Sequence, residues 1–94
     1  MTSPIHITPT ALEEVKRLSR LLKVPHDYVV RISIKKKLNE GEVPYTLGFD
    51  LPDKNDLNFE LNGLTFSYSK LQSMQLVGIT IDFAEEERGF IFKE

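Results

Sequence analysis

The sequence predicts a small α+β domain, with one N-terminal amphipathic helix and about six mostly antiparallel strands in a compact sandwich- or barrel-like arrangement. Three observations carry that prediction. Between Thr8 and Lys23 apolar residues recur at three- and four-residue steps, the period of a helix with one buried face. Tyr28–Ile34 and Tyr45–Leu51 instead alternate apolar and polar residues, the period of a half-buried strand. Asn62-Gly63 stands between two further alternating runs, and both positions of a tight hairpin turn require positive φ. The 94 residues suffice for one domain spanning 1–94, with one core and no need of covalent staples.

The elements follow in order. Ile5 and Ile7 flank His6 in a short extended segment. Thr8-Pro9 starts the helix, with Thr8 as N-cap and Pro9 at the first helical position; Thr10 with Glu13 as a capping box is the alternative start. Leu12, Val15, Leu18 and Leu22 form the apolar stripe, beside Ala11 and Leu21. Glu13 and Glu14 precede Lys16, Arg17, Arg20 and Lys23, the charge order that suits the helix dipole, and Pro25 stops the helix near Leu22 or Lys23. In the first strand Tyr28, Val30, Ile32 and Ile34 share a face; in the second Tyr45, Leu47, Phe49 and Leu51 do. A long polar tip, Lys35 to Pro44, joins them, and loops of that length tend to carry function. Leu57, Phe59 and Leu61 alternate up to the Asn62-Gly63 turn, and Leu64, Phe66 and Tyr68 alternate after it. Ser69 caps a helical turn to about Met74, Ile79–Phe83 is a strand, and an acidic connection leads to the last strand, Gly89–Phe92.

Composition narrows the function. Twelve basic and fourteen acidic residues leave a net charge of −2, without the field that holds a polyanion, which argues against nucleic acid as a partner. With no cysteine there is no disulfide, thiol nucleophile or thiolate ligand, in keeping with a reducing, cytoplasmic setting. The N-terminus lacks a basic segment followed by an apolar one, and no apolar run approaches the roughly 20 residues of a membrane span.

Four stretches together resemble the A-type iron–sulfur cluster carriers, the HesB/IscA-like fold. They are Ile7-Thr8-Pro9 with Ala11, then Arg31-Ile32-Ser33-Ile34-Lys35, then Tyr45-Thr46-Leu47-Gly48-Phe49-Asp50, and last Leu76, Gly78 and Ile81-Asp82-Phe83 followed by Gly89-Phe90 and Phe92. Order and spacing hold from Ile5 to Phe92. The resemblance implies a three-cysteine cluster site: one cysteine in a Gly-Gly-Cys-Ser-Gly tip, two in a Cys-Gly-Cys tail. Here the tip reads Lys37-Leu38-Asn39-Glu40-Gly41-Glu42, with the cysteine position falling near Asn39 or Glu40. The sequence ends at Glu94 without the tail, so the expectation is that all three ligands are gone.

Imidazole is the familiar partial substitute for thiolate. His6 and His26 lie near opposite ends of the helix, and about 15 helical residues separate those ends by roughly 20 Å, too far for one cluster in one chain. Asp50, Asp53 and Asp56 recur every three residues but lack the glycine and distal glutamate of a calcium loop, so turn capping is the reading preferred. Lys35-Lys36-Lys37 reads as edge protection and Glu85-Glu86-Glu87 as a solvated loop. No catalytic triad order, phosphate loop or zinc-protease motif appears. The expected role is a non-catalytic binding or scaffold module without cofactor, linked to iron–sulfur assembly and pairing as a homodimer or with a protein partner. The alternative is residual iron or metal binding through Glu40, Glu42 and His26 across a dimer; a third reading is a small enzyme using carboxylates.

Overall fold

A computed structural model describes residues 3–35, 40 and 44–94. The fold is α+β, with two helices and seven strands in two sheets among these residues. The chain divides into two compact units, one made from the residues up to Pro25 together with Val77–Glu94, the other from His26–Leu76.

In the first unit, β1 (His6–Ile7) leads directly into α1 (Pro9–Leu21). Thr8 is the N-cap: its backbone is extended and its Oγ1 accepts a hydrogen bond from the Ala11 amide at 3.1 Å, while Pro9 opens the first turn. Ala11, Leu12 and Val15 are buried on the helix, but Leu21 and Leu22 stand in solvent. The expected stripe therefore stops short of Leu22, because Leu22 is the C-cap and Lys23 turns the chain away with φ of 52°. The Lys23 amide donates to the Arg20 carbonyl at 3.2 Å and the Val24 amide to Ser19 at 3.0 Å. This is the paired closure of a helix end by one left-handed residue, here a lysine where glycine is usual. Lys23, and not Pro25, ends the helix. β6 (Thr80–Ala84) runs parallel to β1 and antiparallel to β7 (Gly89–Lys93), in the order β1-β6-β7. Ile5, Ile7, Ala11, Leu12, Val15, Ile79 and Ile81 are the buried apolar residues of this unit.

The second unit is a four-stranded sheet in the order β3-β2-β5-β4, with β2 Val29–Ile34, β3 Tyr45–Asp50, β4 Asp56–Leu61 and β5 Leu64–Ser69. Register sorts its residues as the alternation predicts. Val30 pairs with Phe49 and Phe66, Ile32 with Leu47 and Tyr68, and Phe59 with Phe66, all on one face. Arg31 pairs with Gly48 and Ser67, and Asn58 with Ser67, on the other. Phe59 stacks on Phe66 with ring centroids 5.3 Å apart. Asn62 and Gly63 take φ of 48° and 85°, so the β4–β5 turn has the two left-handed positions that its residues favour. Tyr28 and Leu51, expected as strand ends, lie beyond the ladder and are exposed.

Two pairings were not foreseeable from pattern: β1 with β6 and β2 with β5 are both parallel. The seventh strand is the extended Ile5–Ile7 segment, which gains strand geometry only through β6. Ser69 caps a 3-10 turn, Lys70–Gln72, which continues as the short α2, Ser73–Leu76. Leu76 is fully buried, whereas Leu71 and Met74 are 95% and 93% exposed.

Candidate functional site

The β2–β3 hairpin carries the tip where the resemblance places a cluster ligand. At its base the Lys35 amide donates to the Pro44 carbonyl at 2.6 Å. Asn39 and Glu42 lie outside the described residues, as do Lys36 and Lys37. Glu40 is exposed on the tip, and His26 is exposed ahead of β2. The described residues hold no group of three or more His, Cys, Asp or Glu side chains able to hold a metal ion.

The aspartates of this unit do something else. Asp53 caps its turn, its Oδ1 accepting from the Asn55 amide at 2.8 Å and its carbonyl from the Asp56 amide at 3.0 Å. Asp50 and Asp56 instead converge on Arg31. The guanidinium donates through Nη1 to Asp50 Oδ2, through Nε to Asp56 Oδ2 at 3.1 Å, and through Nη2 to the Leu51 carbonyl at 3.0 Å. Arg31 sits on β2 and Asp56 on β4, so the side chain crosses β5 on the polar face of the sheet, where Ser67 is fully buried and donates to Asn58 Oδ1. Both carboxylates are thus committed to a cation. Asp53 serves its turn only, while Asp50 combines the cation with a local bond, its Oδ1 accepting from the Leu51 amide at 2.8 Å. The signal for the rest lay in Arg31, an arginine on the polar face of β2, with aspartates at the end of β3 and the start of β4.

The first unit contains a groove of about 650 Å³ lined by Glu14, Arg17, Leu18, Phe83, Glu85, Arg88 and Phe90. Phe83 and Phe90 are cross-strand partners on β6 and β7 and meet edge to face, their centroids 5.2 Å apart. Along the helix side, Arg17 grips Glu14 with two hydrogen bonds of 2.8 and 2.7 Å. That bidentate grip holds the Glu14 carboxyl below its usual range and raises Arg17. Sequence pattern singled out these residues apart from Arg88 but could not bring α1 to the β6–β7 hairpin.

No protein-family model matches the chain, and no curated protein matches it. The fold itself is that of the A-type iron–sulfur cluster carriers, borne by a chain of 94 residues with no cysteine. SufA of Escherichia coli, described as involved in biosynthesis of iron–sulfur clusters, is 28% identical, with a TM-score of 0.72 over 99% of this chain and 85% of its own. IscA, solved with a 2Fe–2S cluster, is 23% identical and superposes with a TM-score of 0.71 over 94% of this chain and 80% of its own. A protein from Aquifex aeolicus, solved by NMR, is 18% identical with a TM-score of 0.71 over 100% and 99% of the two chains. Clusters of that kind are held chiefly by thiolates. The donors here are carboxylates and two exposed imidazoles, His6 and His26, a set that does not fit a thiolate-held cluster.

Proposed function

We propose that this chain is a non-catalytic module linked to iron–sulfur cluster assembly, working as a binding or scaffold partner and carrying no cluster of its own. One observation carries the reading: the carrier fold extends over 99% of a chain whose 94 residues include no cysteine. Its site of action on this reading is the cytoplasm, and its partners are proteins, a second copy of the chain among them.

Two surface features support a binding role. β3 is an edge strand of its sheet, and edge strands offer unpaired main-chain groups to a partner. Leu71 and Met74, three residues apart on the α2 approach, stand almost wholly in solvent, an exposure typical of interaction surfaces. No helix among the described residues is long and apolar enough to cross a membrane.

Native mass spectrometry of protein expressed with excess iron and purified without oxygen tests the reading. The expected species is metal-free at an integer number of chains. A fixed added mass of iron or iron–sulfide per chain would overturn it and turn attention to Glu40, Glu42 and His26. The same measurement on Gly48→Thr reads the β3 face, since a Cβ added at Gly48 meets no atom within 4 Å and a neutral side chain sets no like charge beside Arg31, its cross-strand partner. Loss of the assembly in that variant is the expected result.

A further inference from the structure

We propose that Asn62-Gly63, the turn between β4 and β5, is a self-modification site. There Asn62 sheds its side-chain amide as ammonia and becomes aspartate or isoaspartate, with water as the only co-reactant. The proposal goes beyond the binding-module reading and does not depend on it.

The chemistry needs a main-chain amide able to attack the side chain of the asparagine before it. The Gly63 nitrogen gives up its proton to solvent and bonds to Asn62 Cγ. The Cγ–Nδ2 bond breaks, and Nδ2 takes a proton from solvent and leaves as ammonia. A five-membered cyclic imide results, and water adds to either of its carbonyl carbons. Opening at Cγ gives aspartate; opening at the main-chain carbon gives isoaspartate, whose chain runs through the side chain. Nothing is oxidised or reduced.

The structure singles out Asn62 among the asparagines. Both turn residues are exposed, and no hydrogen bond among the described residues engages the Asn62 side chain or the Gly63 amide. Glycine also sets no side chain beside the attacking nitrogen. Asn55 is exposed too, but the amide that would attack it, on Asp56, donates to the Asp53 carbonyl at 3.0 Å. The Asn58 side chain accepts from Ser67, and the Phe59 main chain is held opposite Phe66 in the ladder. Asn39 lies outside the described residues.

The turn has a route to the reacting geometry. The φ values of 48° and 85° at Asn62 and Gly63 are those of a type I′ turn. Turning over the peptide plane between them gives type II′, the other turn that closes a two-residue hairpin, in which only the first position keeps positive φ. Asn62 thus keeps its sign of φ, and Gly63 accepts either sign. The flip swings the Gly63 nitrogen toward the Asn62 side chain, while the Leu61–Leu64 pair that closes the ladder stays formed. Isoaspartate then adds one carbon to the main chain of a tight turn, and either product adds a negative charge at the end of β4, an edge strand.

The test holds the full chain folded in mildly alkaline buffer made with heavy-oxygen water. The tryptic peptide 55–70, which carries Asn55, Asn58 and Asn62 together, is followed by liquid chromatography and fragment mass spectrometry. The expected product is an acid bearing heavy oxygen at position 62, in two chromatographic forms, with Asn55 and Asn58 intact. Gly63→Ala is expected to lose the reaction, and the chain unfolded in urea supplies the rate of the bare motif. A folded rate about a thousandfold or more below that reference would mean reaction only through global unfolding of a marginally stable domain, and would overturn the proposal. A single product, equal conversion at Asn55 or Asn58, or undiminished conversion in Gly63→Ala would overturn it as well.

Discussion

Arg31 gathers bonds to two carboxylates and a carbonyl, and the two carboxylates are differently placed. The Asp56 side chain is 9% exposed and Asp50 is 57% exposed. Removing one partner of a shielded pair leaves the other charge poorly solvated, while an exposed partner is re-solvated by water. Arg31→Ala is therefore expected to cost about 2–3 kcal/mol, and Asp56→Asn clearly more than Asp50→Asn. Arg31→Lys falls between wild type and Arg31→Ala, because a point charge cannot reproduce the fork that reaches two carboxylates and the Leu51 carbonyl. Urea-denaturation midpoints for the four variants check the order; equal losses at Asp50 and Asp56 would contradict it. This cluster was only half legible beforehand. The three-residue spacing of Asp50, Asp53 and Asp56 is a fact about the chain, and it explains Asp53, whose bonds are local. Arg31 and Asp56 meet only because β5 lies between β2 and β4, and strand order is not written in local spacing.

At the scale of elements, the start of α1 is tied to the middle of β6. Thr8 Oγ1 accepts from the Ala11 amide and donates to Asp82 Oδ1 at 2.7 Å; that carboxylate oxygen also accepts from the Phe83 amide at 2.8 Å. These bonds, the one from Thr8 above all and then the Phe83 amide, hold the Asp82 carboxyl below its usual range, with partial burial opposing and Lys93 adding slightly. A carboxyl depressed in the folded state stabilises the fold above its unfolded pKa of about 3.9, and that contribution is lost as pH falls through the lower folded value. Thr8→Ala should thus cost about 1 kcal/mol at neutral pH as a lost cap. It should also move the Asp82 titration upward, flattening the acid-side slope of stability below about pH 4. Carbon-detected NMR titration of Asp82 in both proteins, beside unfolding at several pH values, checks both parts. An unmoved Asp82 titration would contradict the coupling. The cap was legible, since Thr8-Pro9 states it in two residues. The C-terminal end was not, because a lysine at φ of 52° does what sequence rules assign to glycine or to the nearby Pro25.

For the whole molecule, fold class and face assignment followed from alternation, because a period of two fixes which side chains share a side of a sheet once the strands pair. What alternation cannot state is which strand pairs with which, so the two parallel pairings came only from the structure. The tip where the resemblance puts a cluster ligand was legible as sequence, and its main message was chemical: no thiol stands there or anywhere in the 94 residues. The parallel pairing of β1 with β6 has one further consequence, in the order of assembly. The second unit is contiguous, from His26 to Leu76, and a growing chain can complete it as soon as those residues emerge. The first unit needs Ile7 beside Ile81, a loop closure across most of the chain, before α1 has a sheet to bury its face on. Amide hydrogens of β2 and β5 should accordingly gain protection before those of α1 and β6 when refolding is followed by pulsed hydrogen exchange, and simultaneous protection would refute the sequence. On the ribosome, the helix made first is then the last element to find its place.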